Sequence, residues 1–154
     1  MIINTSFEVG APADTVWGYL LDVQKVAHCV PGAELTEVVD ERTFRGKIGV
    51  KLGPIEVAYR GTVQLEEVDP ENRRVRLKAS GSEARGRGGA SATVTSRLET
   101  AGQKTTVLME TDLAVTGLVA QFGRSSVMQE VAQRMARRFA ACLEQEIKAG
   151  RPIS

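Results

Sequence analysis

The side chains able to do chemistry are few in this chain. Its single histidine, His28, directly precedes one of its two cysteines, Cys29. A cysteine nucleophile needs an imidazole within hydrogen-bond reach and a third group to orient that imidazole. Consecutive residues on a helix point about 100° apart, so His28 and Cys29 make a poor dyad, and no acidic orienter stands beside them. No HxxxH, CxxC or carboxylate cluster with metal-ligand spacing occurs, so no metal site is expected. The segment Gly81-Ser82-Glu83-Ala84-Arg85-Gly86-Arg87-Gly88-Gly89 superficially resembles a phosphate loop. A strand pattern follows it, not a helix, which leaves no helix N-terminus to take an anion. It is expected as a hairpin tip or bent strand pair whose Arg85 and Arg87 can touch an acidic partner. Asp112 is expected to face out, and Glu66, Glu67 and Asp69 to mark an exposed strand end. No residue is assigned a catalytic role.

Composition narrows the partners. A net charge of +1 gives no bulk attraction to nucleic acid, and aromatic residues, at 5%, are too scarce for base-stacking platforms. Cys29 and Cys142 sit among apolar neighbours without metal-type spacing, so buried free thiols in a reducing compartment are expected. The N-terminus Met1-Ile2-Ile3-Asn4-Thr5 lacks a basic region and an apolar signal core, and no apolar run reaches the ~18 residues that span a bilayer. A cytoplasmic protein is expected.

The elements that must position any site follow from the hydrophobic period. Ile2 to Val9 alternates as a strand, with Ile3, Thr5, Phe7 and Val9 on one side. Pro12 opens a helix to about Leu21 with Val16, Trp17, Leu20 and Leu21 facing the core, and a second short helix spans Val23 to Cys29 before Pro31-Gly32. From Ala33 to Val115 the period is two. Turns at Asp40–Arg42, Gly53-Pro54, Asp69–Asn72 and Ala101–Lys104 divide this stretch into about six strands, an antiparallel meander with one wet face. After Val115 to Arg124 the period becomes helical, and Val127, Val131, Met135, Phe139, Leu143 and Ile147 recur at i+4. Arg134, Arg137 and Arg138, with Arg124 and Lys148, are placed on the opposite, basic face. That face is either a solvated surface or a docking face for anionic headgroups or an acidic partner. The fold class is α+β, a curved antiparallel sheet wrapped around a long C-terminal helix, with two short helices after the first strand.

Gly46, Gly61, Ala79, Gly81, Ala90 and Ala92 occupy inner-face positions where a filled core would hold larger residues. Either the helix packs tighter there and the sheet bends, or a lipophilic cavity is left open. Both readings stand at this point.

Several strings, in their order and spacing, resemble the carbon monoxide dehydrogenase G-subunit (CoxG) family within the START-like (SRPBCC) helix-grip superfamily. They are Cys29-Val30-Pro31-Gly32-Ala33, Gly53-Pro54-Ile55 with Tyr59-Arg60-Gly61, Gly86-Arg87-Gly88-Gly89-Ala90, and Val115-Thr116-Gly117-Leu118-Val119-Ala120-Gln121-Phe122-Gly123. The resemblance implies one ligand-binding domain over residues 1–148, followed by a short tail, 149–154. It also implies a hydrophobic cavity, a molybdenum-containing carbon monoxide dehydrogenase-type hydroxylase as partner, and membrane recruitment or quinone delivery as the role. Many relatives carry a proline-rich linker and a membrane-associating tail. This chain ends at Arg151-Pro152-Ile153-Ser154, so transient contact at the inner membrane face, or free diffusion, is expected instead.

The expectation is therefore a non-catalytic binding protein without a covalent cofactor, holding a lipophilic molecule such as an isoprenoid quinone. Its proposed walls are Met109, Val127, Met128, Val131, Met135 and Phe139, adaptable side chains suited to a flexible apolar chain. Phe122 and the loop from Leu52 to Ile55 are placed at the mouth, and Trp17, Ile48 and Tyr59 in the depth, with the Tyr59 hydroxyl offered to a ligand carbonyl. Gly117 and Gly123 bracket a gate at Leu118–Phe122. The alternative is a docking or assembly factor for the hydroxylase with no physiological small ligand. An enzyme of the same fold ranks third, because the inner face is almost entirely apolar.

Overall fold

Ile3, Thr5, Phe7 and Val9 are buried while the residues between them are exposed, so the period-two pattern puts one face of β1 (Ile2–Val9) on the core. The computed structural model describes residues 1–122 and 126–150, apart from the Leu118 and Phe122 side chains. Pro12, extended at φ −63°, caps α1 (Ala13–Leu20). The Asp22 carboxylate accepts the Lys25 N–H at 3.2 Å and starts α2 (Val23–Cys29). Six strands follow: β2 (Ala33–Val38), β3 (Thr43–Leu52), β4 (Ile55–Asp69), β5 (Arg74–Glu83), β6 (Gly89–Ala101) and β7 (Lys104–Val115). A short 3-10 helix (Leu118–Phe122) then leads towards α3 (Ser126–Lys148).

The seven strands form one antiparallel sheet in the order β1-β7-β6-β5-β4-β3-β2. The meander is β2 to β7, and β1 closes on the far side of β7. The two short helices carry the chain from one sheet edge to the other. The β1 edge is covered by α3: the Gln129 and Gln133 side-chain amides donate to the Asn4 and Ser6 carbonyls at 2.9 and 3.1 Å, and Glu144 accepts the Gly10 N–H.

A row of small residues crosses the sheet. Gly46 faces Gly61, Gly61 faces Gly81 and Gly81 faces Ala90. A β-carbon at Gly61 would collide with the Ser80 carbonyl oxygen, and one at Gly46 would stand 2.7 Å from the Glu34 carbonyl oxygen. The strands approach one another along this row more closely than a side chain allows. Backbone approach thus accounts for these glycines.

Packing is concentrated at one end. Phe7, Val9, Val16, Tyr19, Leu98, Val107, Ala136, Phe139 and Leu143 belong to one buried cluster. Phe7 and Phe139 meet edge to face at 5.7 Å between centroids. Cys29 and Cys142 are bonded to each other in this cluster, tying the end of α2 to α3. This corrects the expectation of free thiols. Apolar neighbours in sequence indicated burial, but residues 113 apart carry no sign that their β-carbons will meet. The compartment argument built on free thiols lapses with it. Among the described residues no helix is long and apolar enough to cross a membrane.

Candidate ligand cavity

An i+4 row is not straight on an α-helix: each step advances 400°, so the row winds by about 40° per step. Val131, Met135, Phe139 and Leu143 therefore do not share one environment. Phe139 and Leu143, with Ala136 and Ala140, are buried in the core. Val131 and Met135 remain half-buried and lie on a different side of the helix, together with Arg134 and Arg138. The set 131, 134, 135 and 138 is itself an i, i+3, i+4, i+7 face. Its centre lies roughly 140° around the axis from that of 136, 139, 140 and 143, at about 100° per residue.

That second face borders a cavity of about 820 Å³, within the usual range for small-molecule sites. Its other walls are the β3–β4 hairpin (Gly49, Val50, Lys51, Glu56, Val57, Ala58), the end of β5 and its turn (Glu83, Ala84, Arg85), and Pro31-Gly32. Gly32, at φ +79°, accepts the Gly49 N–H at 3.0 Å, and a side chain there would strike the Gly49 carbonyl. This contact seats the turn after α2 against β3. The inner face of β3 and β4 nearby (Ile48, Val50, Ile55, Val57, Tyr59) is half-buried, in contrast with the fully buried cluster at the other end.

Tyr59 carries the most telling atom. Its hydroxyl is inaccessible to solvent and has no hydrogen-bond partner among the described residues. Burial pushes the phenol above its ordinary value, and the Glu83 carboxylate on the adjacent strand acts in the same direction. Tyr59 is therefore a neutral donor at physiological pH. Glu83 in turn accepts the Gly88 N–H at 3.2 Å and pins the β5–β6 turn. The same turn is tied to the segment entering the 3-10 helix, since the Gly89 N–H donates to Thr116 Oγ1 at 2.9 Å and Gly117 stands against Gly88 at φ +85°.

The residues expected to form the site divide into groups. Val131 and Met135 line the cavity. Ile48 and Ile55 lie half-buried on the strands beside it, facing Tyr59 and Leu52 respectively. Leu52 is 2% exposed, a packed residue of the hairpin end. Val127 and Met128 are half-buried on the first turn of α3. Trp17 and Met109 pack against the core cluster, and Phe139 is inside it. The Phe122 side chain, Gly123 and Arg124 lie outside the described residues; of the gate segment, Val119 is 2% exposed. Arg134, Arg137 and Arg138 are exposed, in keeping with the basic outer face read from sequence, and Arg134 and Arg138 also border the cavity, whereas Arg137 does not. Their spacing from Val131 and Met135 was the available signal.

Among the charged candidates, Cys29 is disulfide-bonded and offers no thiolate, and His28 lies 3.5 Å from Glu146 on the exposed flank of α2. Asp112 is exposed, as expected.

The family model for the carbon monoxide dehydrogenase G subunit (CoxG) matches residues 5–148. This chain belongs to the CoxG family. Its fold is the START-like helix grip: a conserved protein from Geobacillus kaustophilus superposes with a TM-score of 0.83 at 20% identity, over 97% of this chain and 96% of that one. A START superfamily protein from Mycobacterium smegmatis gives 0.63 at 14%, over 97% and 99%. The ZhuI aromatase/cyclase from Streptomyces sp. R1128 gives 0.63 at 17%, over 96% and 93%. No curated protein matches the chain in sequence. CoxG membership and the helix-grip architecture agree with the resemblance carried by the strings around Pro31-Gly32, Tyr59-Arg60-Gly61 and Gly88-Gly89.

Proposed function

We propose that this CoxG-family chain is a non-catalytic binding protein whose cavity holds a lipophilic ligand, in the service of a carbon monoxide dehydrogenase-type molybdenum hydroxylase. The observation that carries the reading is the cavity of about 820 Å³ between α3 and the β3–β4 hairpin, with Val50, Val57, Val131 and Met135 in its lining. On β4, two residues from Val57, stands Tyr59, whose buried hydroxyl has no partner among the described residues. A buried hydroxyl without a partner costs stability, and a ligand carbonyl would relieve that cost. Val50, Val57, Val131 and Met135 supply apolar contact for a hydrocarbon chain. An isoprenoid quinone has both parts, a carbonyl-bearing ring and an apolar tail, and would link the site to the electron chemistry of the hydroxylase. Membrane contact would serve to load that ligand.

Native mass spectrometry of the purified chain, before and after incubation with quinone-containing liposomes, tests the reading. A bound hydrophobe, or uptake of the quinone, is expected. A chain that carries none and takes up none defeats it. The docking alternative draws on the basic residues of α3, which the structure divides, with Arg134 and Arg138 at the cavity and Arg137 away from it.

A further inference from the structure

The cavity carries an excess of positive charge that its own fold does not neutralise. Its charged lining is Lys51, Arg85, Arg134 and Arg138 against Glu56 and Glu83. Both carboxylates are engaged: Glu56 pairs with Lys51 at 3.6 Å, and Glu83 accepts the Gly88 N–H. Among the described residues no ion pair includes Arg85, Arg134 or Arg138. Arg134 and Arg138 stand one helical turn apart, an arrangement of like charges that opposes helix formation. Both project from the face that also presents Val131 and Met135. Apolar and cationic groups thus alternate along one wall. Guanidinium groups favour planar oxyanions, which they bind through paired N–H donors.

We infer that this cavity takes single-chain amphiphiles with an anionic head, the carboxylate or phosphate held by Arg134 and Arg138 and the chain laid against Val131 and Met135. Such anions share the site with the neutral ligand proposed above and exclude it when bound. The inference rests on the reading of this space as a ligand cavity. The head could belong to a free fatty acid or to a lysophospholipid, and the arms of the test separate the two.

Isothermal titration with oleate, oleoyl lysophosphatidate and oleyl alcohol, each below its micellar concentration, decides the matter. Either or both anions should bind about tenfold tighter than the alcohol, the scale of a charge-assisted hydrogen bond. The tighter of the two identifies the head. R134Q/R138Q should bring the anions to parity with oleyl alcohol, while R137Q, on the same helix but off the cavity, should leave all three unchanged. Circular dichroism of both variants checks that α3 is intact. Equal affinity of oleate, lysophosphatidate and alcohol for the native chain overturns the inference and leaves the cavity reading standing. So does an R134Q/R138Q variant with native circular dichroism and native affinity for the anions. No binding by the three probes or by decylubiquinone overturns both.

Discussion

At Tyr59 stability and binding are opposed. The unpartnered hydroxyl is a cost in the empty protein, so Tyr59→Phe should raise stability by about 1 kcal/mol in urea unfolding while weakening a carbonyl ligand several-fold. The pH dependence has a definite sign. Because the folded phenol is raised above 10.0, the unfolded chain ionises first. Its contribution is intact below pH 10.0 and falls as pH climbs from there towards the folded value; Tyr59→Phe should remove that alkaline loss from the unfolding profile. At Gly61 the constraint is backbone approach. Gly61→Ala should destabilise by about 3 kcal/mol, at the upper end for overpacking, read as a lower urea midpoint. Sequence located both residues on the inner face. It could not say that Tyr59 lacks a partner or that Gly61 abuts Ser80, because both facts depend on the neighbouring strand.

For the elements, periodicity was a good guide to existence and bounds. β1 and α2 fall where the sequence places them, and α1 is one residue shorter at each end, with Pro12 and Leu21 as its caps. The i+4 row of α3 was legible as apolar, but its winding was not separated from a single stripe, and so Phe139, which the structure buries in the core, was grouped with Val131 and Met135. The cavity face of α3 runs from Val131 to Arg138, while its buried side chains all lie from Ala136 onward. Amide hydrogen exchange should therefore be faster over residues 127–135, where no side chain is buried, than over 136–146, which carry all the buried side chains of α3; uniform protection would contradict this division. The α2–α3 disulfide adds to the held half. Cys29→Ser with Cys142→Ser should lower stability by about 2–4 kcal/mol without changing the fold, measured by urea unfolding with and without reductant.

Taken whole, the molecule is packed at one end and open at the other, and the row of Gly46, Gly61 and Gly81 crosses neighbouring strands in register. The order of elements and the curved sheet were legible because each strand alternates and each turn carries Gly, Pro or Asp. The cysteine pairing was not, since it depends on where α2 and α3 finally rest. That pairing makes residues 29–142, which include β2 to β7 and most of α3, a covalent macrocycle. β1, α1 and α2 up to Cys29 lie ahead of the ring, and the end of α3 lies beyond it. A single cut inside the ring opens it without releasing a fragment. Trypsin acting at the exposed Arg85 or Arg87 would leave one band on a non-reducing gel and two after reduction. The nicked chain would keep both walls of its cavity on one molecule, so a break at the hairpin tip need not end its working life.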